Sequence, residues 1–160
     1  MRRRVRIAGL AAMVVIAVAA TAGAAQAMTV SVGRPALVGR VSIRVPLNVA
    51  CSPFDPSLTL FSEGASVGVE QPAGTSIAHG TGFVGSFLPD LLFSCDDSQH
   101  TVNLPVTADP AGPPFHGGPA VFNVHASAAA GTPCYPGSTN CYSYSASQAA
   151  STGPTKLNLH

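Results

Sequence analysis

The chain has 160 residues, a formal net charge of +1, few charged side chains (9%) and no tryptophan. Four of its eight cations lie in the first six residues, and beyond residue 27 only Arg34, Arg40, Arg44 and Lys156 remain against seven acids, a net of −3. Such a chain lacks the clustered cations that phosphate binding needs and the basic face that draws proteins to anionic lipid, so neither nucleic acid nor a membrane surface is the expected partner.

The first 27 residues read as a secretory signal peptide. Arg2, Arg3, Arg4 and Arg6 form a basic start, residues 7–18 an apolar run broken only by Gly9, and Ala25-Gln26-Ala27 an A-x-A cleavage site. The run is short for a membrane span, and no cysteine follows it to carry a lipid anchor. Cleavage after Ala27 leaves residues 28–160 as a single secreted domain with no membrane anchor, large enough to bury a core. One Lys against seven Arg, with abundant Ala and Gly, is the bias of a GC-rich bacterial genome.

A short strand is expected over residues 29–34. The clearest signal follows: Val41, Ile43, Val45, Leu47, Val49 and Cys51 alternate with Ser42, Arg44, Pro46, Asn48 and Ala50. Period two over that length means a half-buried strand, and Pro46 suggests an edge position or a bulge. Residues 58–61 and 67–71 read as two short strands around a Glu63-Gly64 turn. Residues 72–86 read as irregular, with at most a brief strand near Ile77, and residues 87–93 as a strand, with a helical turn over 88–92 as the alternative. Residues 101–108 and 120–128 alternate again through Val102, Leu104, Val106 and Phe122, Val124, Ala126. With the Pro- and Gly-rich loop 109–118 between them they read as a long-looped hairpin. Tyr142 and Tyr144 alternate with serines, and Leu157 with Leu159 suggests a last strand. No long stretch beyond residue 27 has helical periodicity. The expected fold is all-β, an antiparallel sandwich of about seven to nine strands.

Four cysteines in the exported part point to two disulfides. Of the three possible connectivities, Cys51–Cys95 with Cys134–Cys141 is favoured, because Cys134 and Cys141 flank a tight loop containing Pro136-Gly137. Antiparallel strands reverse at every step, so Cys51 and Cys95 share one end of a sandwich only if an even number of strands, two or four, lies between them.

The segment Cys95-Asp-Asp-Ser-Gln-His-Thr-Val-Asn-Leu-Pro-Val, followed by Pro114-Phe-His-Gly-Gly-Pro-Ala-Val, resembles a pattern found in small secreted actinobacterial proteins with an immunoglobulin-like β-sandwich. The resemblance spans roughly residues 41–141 and implies fold and secretion, but no activity.

Several motifs carry chemistry in other contexts. Gly64-Ala65-Ser66-Val67-Gly68 matches the G-x-S-x-G nucleophile elbow, but that chemistry needs a strand-turn-helix, and Val67-Gly68-Val69-Glu70-Gln71-Pro72 cannot start a helix. Gly80-Thr81-Gly82-Phe83-Val84-Gly85 matches G-x-G-x-x-G without the βαβ unit or downstream acid of a dinucleotide site. It reads instead as a flexible loop or a bulged strand. His79, His100, His116 and His125 lack metal-ligand spacing, with His125 expected outward on its strand and His100 and His116 in loops. Asp96 and Asp97 read as a solvated turn before a calcium site. Phe115, Tyr142 and Tyr144 are the candidate surface patch. The expectation is a non-catalytic extracellular or cell-surface module that binds an unknown protein or cell-envelope partner, without cofactor. The alternative is a small-molecule or metal-ion carrier using loops at one end of the sandwich.

Overall fold

The computed structural model describes residues 27–87, 89–136 and 141–160. The signal segment therefore lies outside the described residues, save Ala27, as do Leu88 and Gly137 to Asn140. The described chain is all-β, with eight strands and no helix: β1 (Met28–Val32), β2 (Ala36–Leu37), β3 (Ser42–Cys51), β4 (Thr59–Ala73), β5 (Ser76–Phe87), β6 (Gln99–Ala108), β7 (Gly118–Pro133) and β8 (Tyr142–Leu159). All pairings are antiparallel, in the order β1-β3-β6-β5-β4-β7-β8 with β2 on β3. The two ends of this path meet, since β1 packs alongside β8 and Leu37 N–H donates to the His160 carbonyl at 2.8 Å. The sheet is thus nearly barrel-shaped.

Side-chain parity builds the core. On β3 the alternate residues Ile43, Val45, Leu47, Val49 and Cys51 are fully buried, and they face Ala65, Val67 and Val69 of β4, Leu104 and Val106 of β6, and Phe122, Val124 and Ala126 of β7 in one cluster. Apolar burial on alternate positions of β3, β4, β6 and β7 is what a two-faced sheet requires.

Pro46 is tolerated on an internal strand for a local reason. Gly33 N–H donates to the Pro46 carbonyl at 2.8 Å, so the missing Pro46 N–H would have faced the break between β1 and β2. Only the reciprocal bond to the Gly33 carbonyl is forgone, at the point where the β1 register ends.

Four readings of the sequence change. Glu63-Gly64 is no turn: β4 runs unbroken for 15 residues, because Glu63 itself joins the inward row with Ala65, Val67, Val69 and Gln71. Residues 72–86 are not irregular, since β5 pairs with β4 from Ser76 to Phe87 across a two-residue turn whose Gly74, at φ +64°, supplies the positive angle of a type II′ hairpin. Residues 89–93 form tight turns rather than a strand, with Asp90 N–H on the Phe87 carbonyl and Leu91 N–H on the Pro89 carbonyl. Finally, β6 and β7 are not a hairpin. β6 pairs with β3 and β5, and β7 with β4 and β8, because alternation reveals which face is buried but not which strand lies alongside.

The disulfides are Cys51–Cys95 and Cys134–Cys141. Two strands, β4 and β5, separate Cys51 from Cys95, the even number that places both at one end.

Candidate functional site

The elbow-like serine sits mid-strand. Ser66 pairs with Phe83 on β5 and with His125 on β7, so it lies in a strand that is paired on both sides, and its own backbone groups belong to a ladder. Sequence distance hid the proximity of Ser66 and His125, and only the β4–β7 register brings the two residues opposite each other. Among the described residues no hydrogen bond joins their side chains. The G-x-G-x-x-G match lies within β5, where its glycines serve close packing. A Cβ on Gly80 would come 2.5 Å from Phe115 Cζ and 2.7 Å from the Thr107 carbonyl oxygen, and one on Gly82 would come 2.5 Å from the Pro105 carbonyl oxygen.

The histidines are dispersed over the surface. His79 lies 3.8 Å from Glu70 on the neighbouring strand, both well exposed. His100 belongs to β6 rather than a loop and sits 3.0 Å from Asp96. The His100 contact, with the Ser98 N–H, holds the Asp96 carboxyl below its ordinary range. His125 is exposed. His116 has Nδ1 2.7 Å from the Gly117 carbonyl and Nε2 2.8 Å from the Pro72 carbonyl. Two carbonyls can be satisfied together only when both ring nitrogens carry protons, so these contacts push the His116 imidazole up from 6.5. Among the described residues no three His, Cys, Asp or Glu side chains converge as a metal site.

The candidate patch of Phe115, Tyr142 and Tyr144 does not assemble. Phe115 is buried against Gly80, just before the start of β7, whereas Tyr142 and Tyr144 pair with Pro133 and Gly131 at its far end. Tyr142 stacks flat on Phe61, ring centroids 5.2 Å apart, and Tyr144 is exposed. The sequence placed Phe115 in a polar loop and could not show that glycine at position 80 leaves a hole for its ring.

A different aromatic feature is present. Phe83 and Phe87, 73% and 69% exposed, project from the outer face of β5 with Gly85 between them. The outer row of β4 beside them is Ser62, Gly64, Ser66, Gly68, and that of β7 is Ala129, Ser127, His125, Asn123. The Phe83 ring lies over the backbone of Gly85 and Gly64. Two large rings thus stand beside the Ser and Gly row of β4. The alternating Phe83-Val84-Gly85-Ser86-Phe87 pattern was the available signal, obscured by the glycines around it.

Two open clefts lie elsewhere on the surface. One of about 370 Å³ is lined by His79, Thr81, Asp109 and Pro110, and a shallower one of about 660 Å³ by Leu37, Val38, Arg40 and Pro114–His116. Compared with known proteins, the chain matches no family model, no curated protein and no solved structure.

Proposed function

We propose that this chain is an exported, non-catalytic module with an immunoglobulin-like sandwich fold, which acts outside the cell or loosely at its wall by binding a protein or envelope partner. The observation that carries the reading is the pair Phe83 and Phe87, standing in solvent beside the Ser and Gly row of β4. Exposed aromatic patches mark interaction sites, because covering the rings releases the water that hydrates them. Export is supported by the signal-like start and by β1 beginning at Met28, the residue that cleavage after Ala27 would expose. Two disulfides fit an oxidising compartment. The sandwich reading is supported by the thin β5–β6 seam, where only Gly80↔Ala108 and Thr81↔Thr107 pair, dividing β1-β3-β6 from β5-β4-β7-β8. A non-catalytic role is favoured because Ser66 backbone groups are committed to a ladder and leave no free N–H pair for an oxyanion.

The test is co-sedimentation with isolated bacterial envelopes. The native protein should pellet and the Phe83→Ser/Phe87→Ser variant should stay in solution with its fold intact. Equal pelleting of both would reject the β5 face as the binding surface. Fluorophosphonate labelling of Ser66 would overturn the non-catalytic assignment. The carrier reading has one observation in its favour, the apolar-walled cleft between Leu37–Arg40 and Pro114–His116. It requires a small molecule retained by the protein in native mass spectrometry.

A further inference from the structure

We infer that the partner of the β5 face is a second copy of this chain, joined edge to edge through residues 83–87 in antiparallel register about Gly85. This deepens the binding reading above and rests on it.

The free edge has an identifiable cause. Ala108 N–H donates to Val41 on the β3 side, and Asp109 N–H donates to His79 on the β5 side. Backbone groups alternate sides along a strand, so on β6 the N–H of Thr107 faces β5, and the next to do so would belong to residue 105. That residue is proline, which has no N–H. The β5–β6 register stops at Thr81↔Thr107. By the same alternation, the N–H and C=O groups of Phe83 and Gly85, and the N–H of Phe87, face away from β4. Among the described residues no strand pairs with them. The Phe87 carbonyl is taken in part by Asp90 N–H at 3.2 Å.

Edges of this kind are normally blunted by charge, proline or a bulge. The stretch Gly82-Phe-Val-Gly-Ser-Phe87 has no charge and no proline, and β5 pairs with β4 through it without a register shift. The edge is also self-complementary. In an antiparallel pair centred on Gly85, Gly85 exchanges both hydrogen bonds with its own copy. Phe83 falls directly opposite the second copy's Phe87, and Phe87 opposite its Phe83. Directly opposed aromatics are among the favourable cross-strand pairs, and the central glycine leaves room for the four rings to close over the seam. No charged side chain is brought against a like charge there, because residues 82–87 carry none. The product is one continuous sheet, β8-β7-β4-β5 running into the same four strands of the second copy. Its contact is small beside standard interfaces, so the dimer is a weak one that forms with concentration.

Sedimentation velocity of the pure, disulfide-intact protein, from micromolar to millimolar concentration, tests this. The expected result is a reversible monomer–dimer equilibrium. Amide exchange at Phe83, Gly85 and Phe87 should slow at least tenfold between the dilute and concentrated ends. Phe83→Lys/Phe87→Lys, at positions already in solvent, should leave the melting temperature unchanged and the protein monomeric. A protein monomeric up to millimolar concentration overturns the inference, as does a dimer in which those three amides exchange freely or which survives the double lysine substitution. Envelope binding lost on Phe83→Ser/Phe87→Ser, in a protein that never dimerises, upholds the binding surface and rejects the second copy as its occupant. Dimerisation without envelope binding does the reverse.

Discussion

Buried polar side chains in this molecule each hold a loop to the sheet. Gln71 is fully buried on β4, its Nε2 donating to the His116 carbonyl at 2.7 Å and its Oε1 accepting from His116 N–H at 2.9 Å. Gln148 of β8 donates to the Ser52 carbonyl at 2.7 Å, which fixes the segment after β3. Glu63 Oε2 accepts from the N–H groups of Leu92 and Phe93 at 2.5 and 3.0 Å. Burial pushes the Glu63 carboxyl above its ordinary range, and the two N–H groups and His100 offset only part of this. Its Oε1 is buried without a protein partner. Both Glu63 and His116 therefore hold protons more tightly folded than unfolded. The Glu63 shift makes folding stability fall as pH rises from the ordinary carboxylate value to the raised one. His116 contributes stability that is complete below its unfolded value of about 6.5 and is lost as pH climbs through the raised folded value. Urea midpoints should accordingly drop in two steps with rising pH. Glu63→Gln, which keeps an acceptor, should flatten the acidic step alone, and His116→Asn the step above 6.5 alone. Unaltered steps in these variants would show that neither group carries the dependence.

At the scale of strands, register is decided by where proline and glycine fall. Pro46 and Pro105 each place a missing N–H where a partner strand stops, one facing the β1–β2 break and one ending the β5–β6 seam. Gly80 and Gly82 let β5 approach β6 more closely than any side chain permits. Gly80→Ala would drive a methyl into the Phe115 ring and into rigid backbone at Thr107, so it should cost about 2–3 kcal/mol, the usual penalty of overpacking. Gly68→Ala is the matched control: nothing lies within 4 Å of the added carbon, and an alanine there relieves the entropy cost of glycine in a strand. It should be neutral or stabilise by about 0.5 kcal/mol. Denaturant unfolding of the two variants reads the difference directly, and equal stabilities would contradict the close approach of β5 and Phe115.

For the molecule as a whole, the long disulfide is the main covalent brace. Cys51 ends β3 and Cys95 lies in the connection between β5 and β6, 44 residues away, so the bond ties the end of β3 to the loop that leads into its neighbour β6. In the chain-entropy account, closing a loop of that length stabilises by about 4 kcal/mol, against about 2.5 kcal/mol for the short Cys134–Cys141 loop. Replacing Cys51 and Cys95 together by alanine should therefore lower the unfolding free energy by more than replacing Cys134 and Cys141. The opposite order would mean that the β7–β8 connection, not the β3 end, limits unfolding.

The all-β class, the inward row of β3, both cysteine pairs and the inward positions of β6 and β7 were legible in the sequence, because each depends on spacing along the chain alone: period two for a half-buried strand, flanking of a tight turn for a short disulfide. What lay beyond it depends on neighbours remote in sequence. Glu63 looked like a turn former until a loop supplied two N–H donors to its buried carboxylate. The glycines of β5 looked like breakers until Phe115 and the β6 backbone filled the space that their missing side chains leave. Phe115 looked like a surface aromatic for the same reason, and the patch expected around it gave way to Phe83 and Phe87. Composition and alternation determine which side of a strand meets water. Which strand lies beside it, and which edge stays open, is decided only when the sheet closes, since pairing partners are selected by three-dimensional packing and leave no periodic mark on the chain.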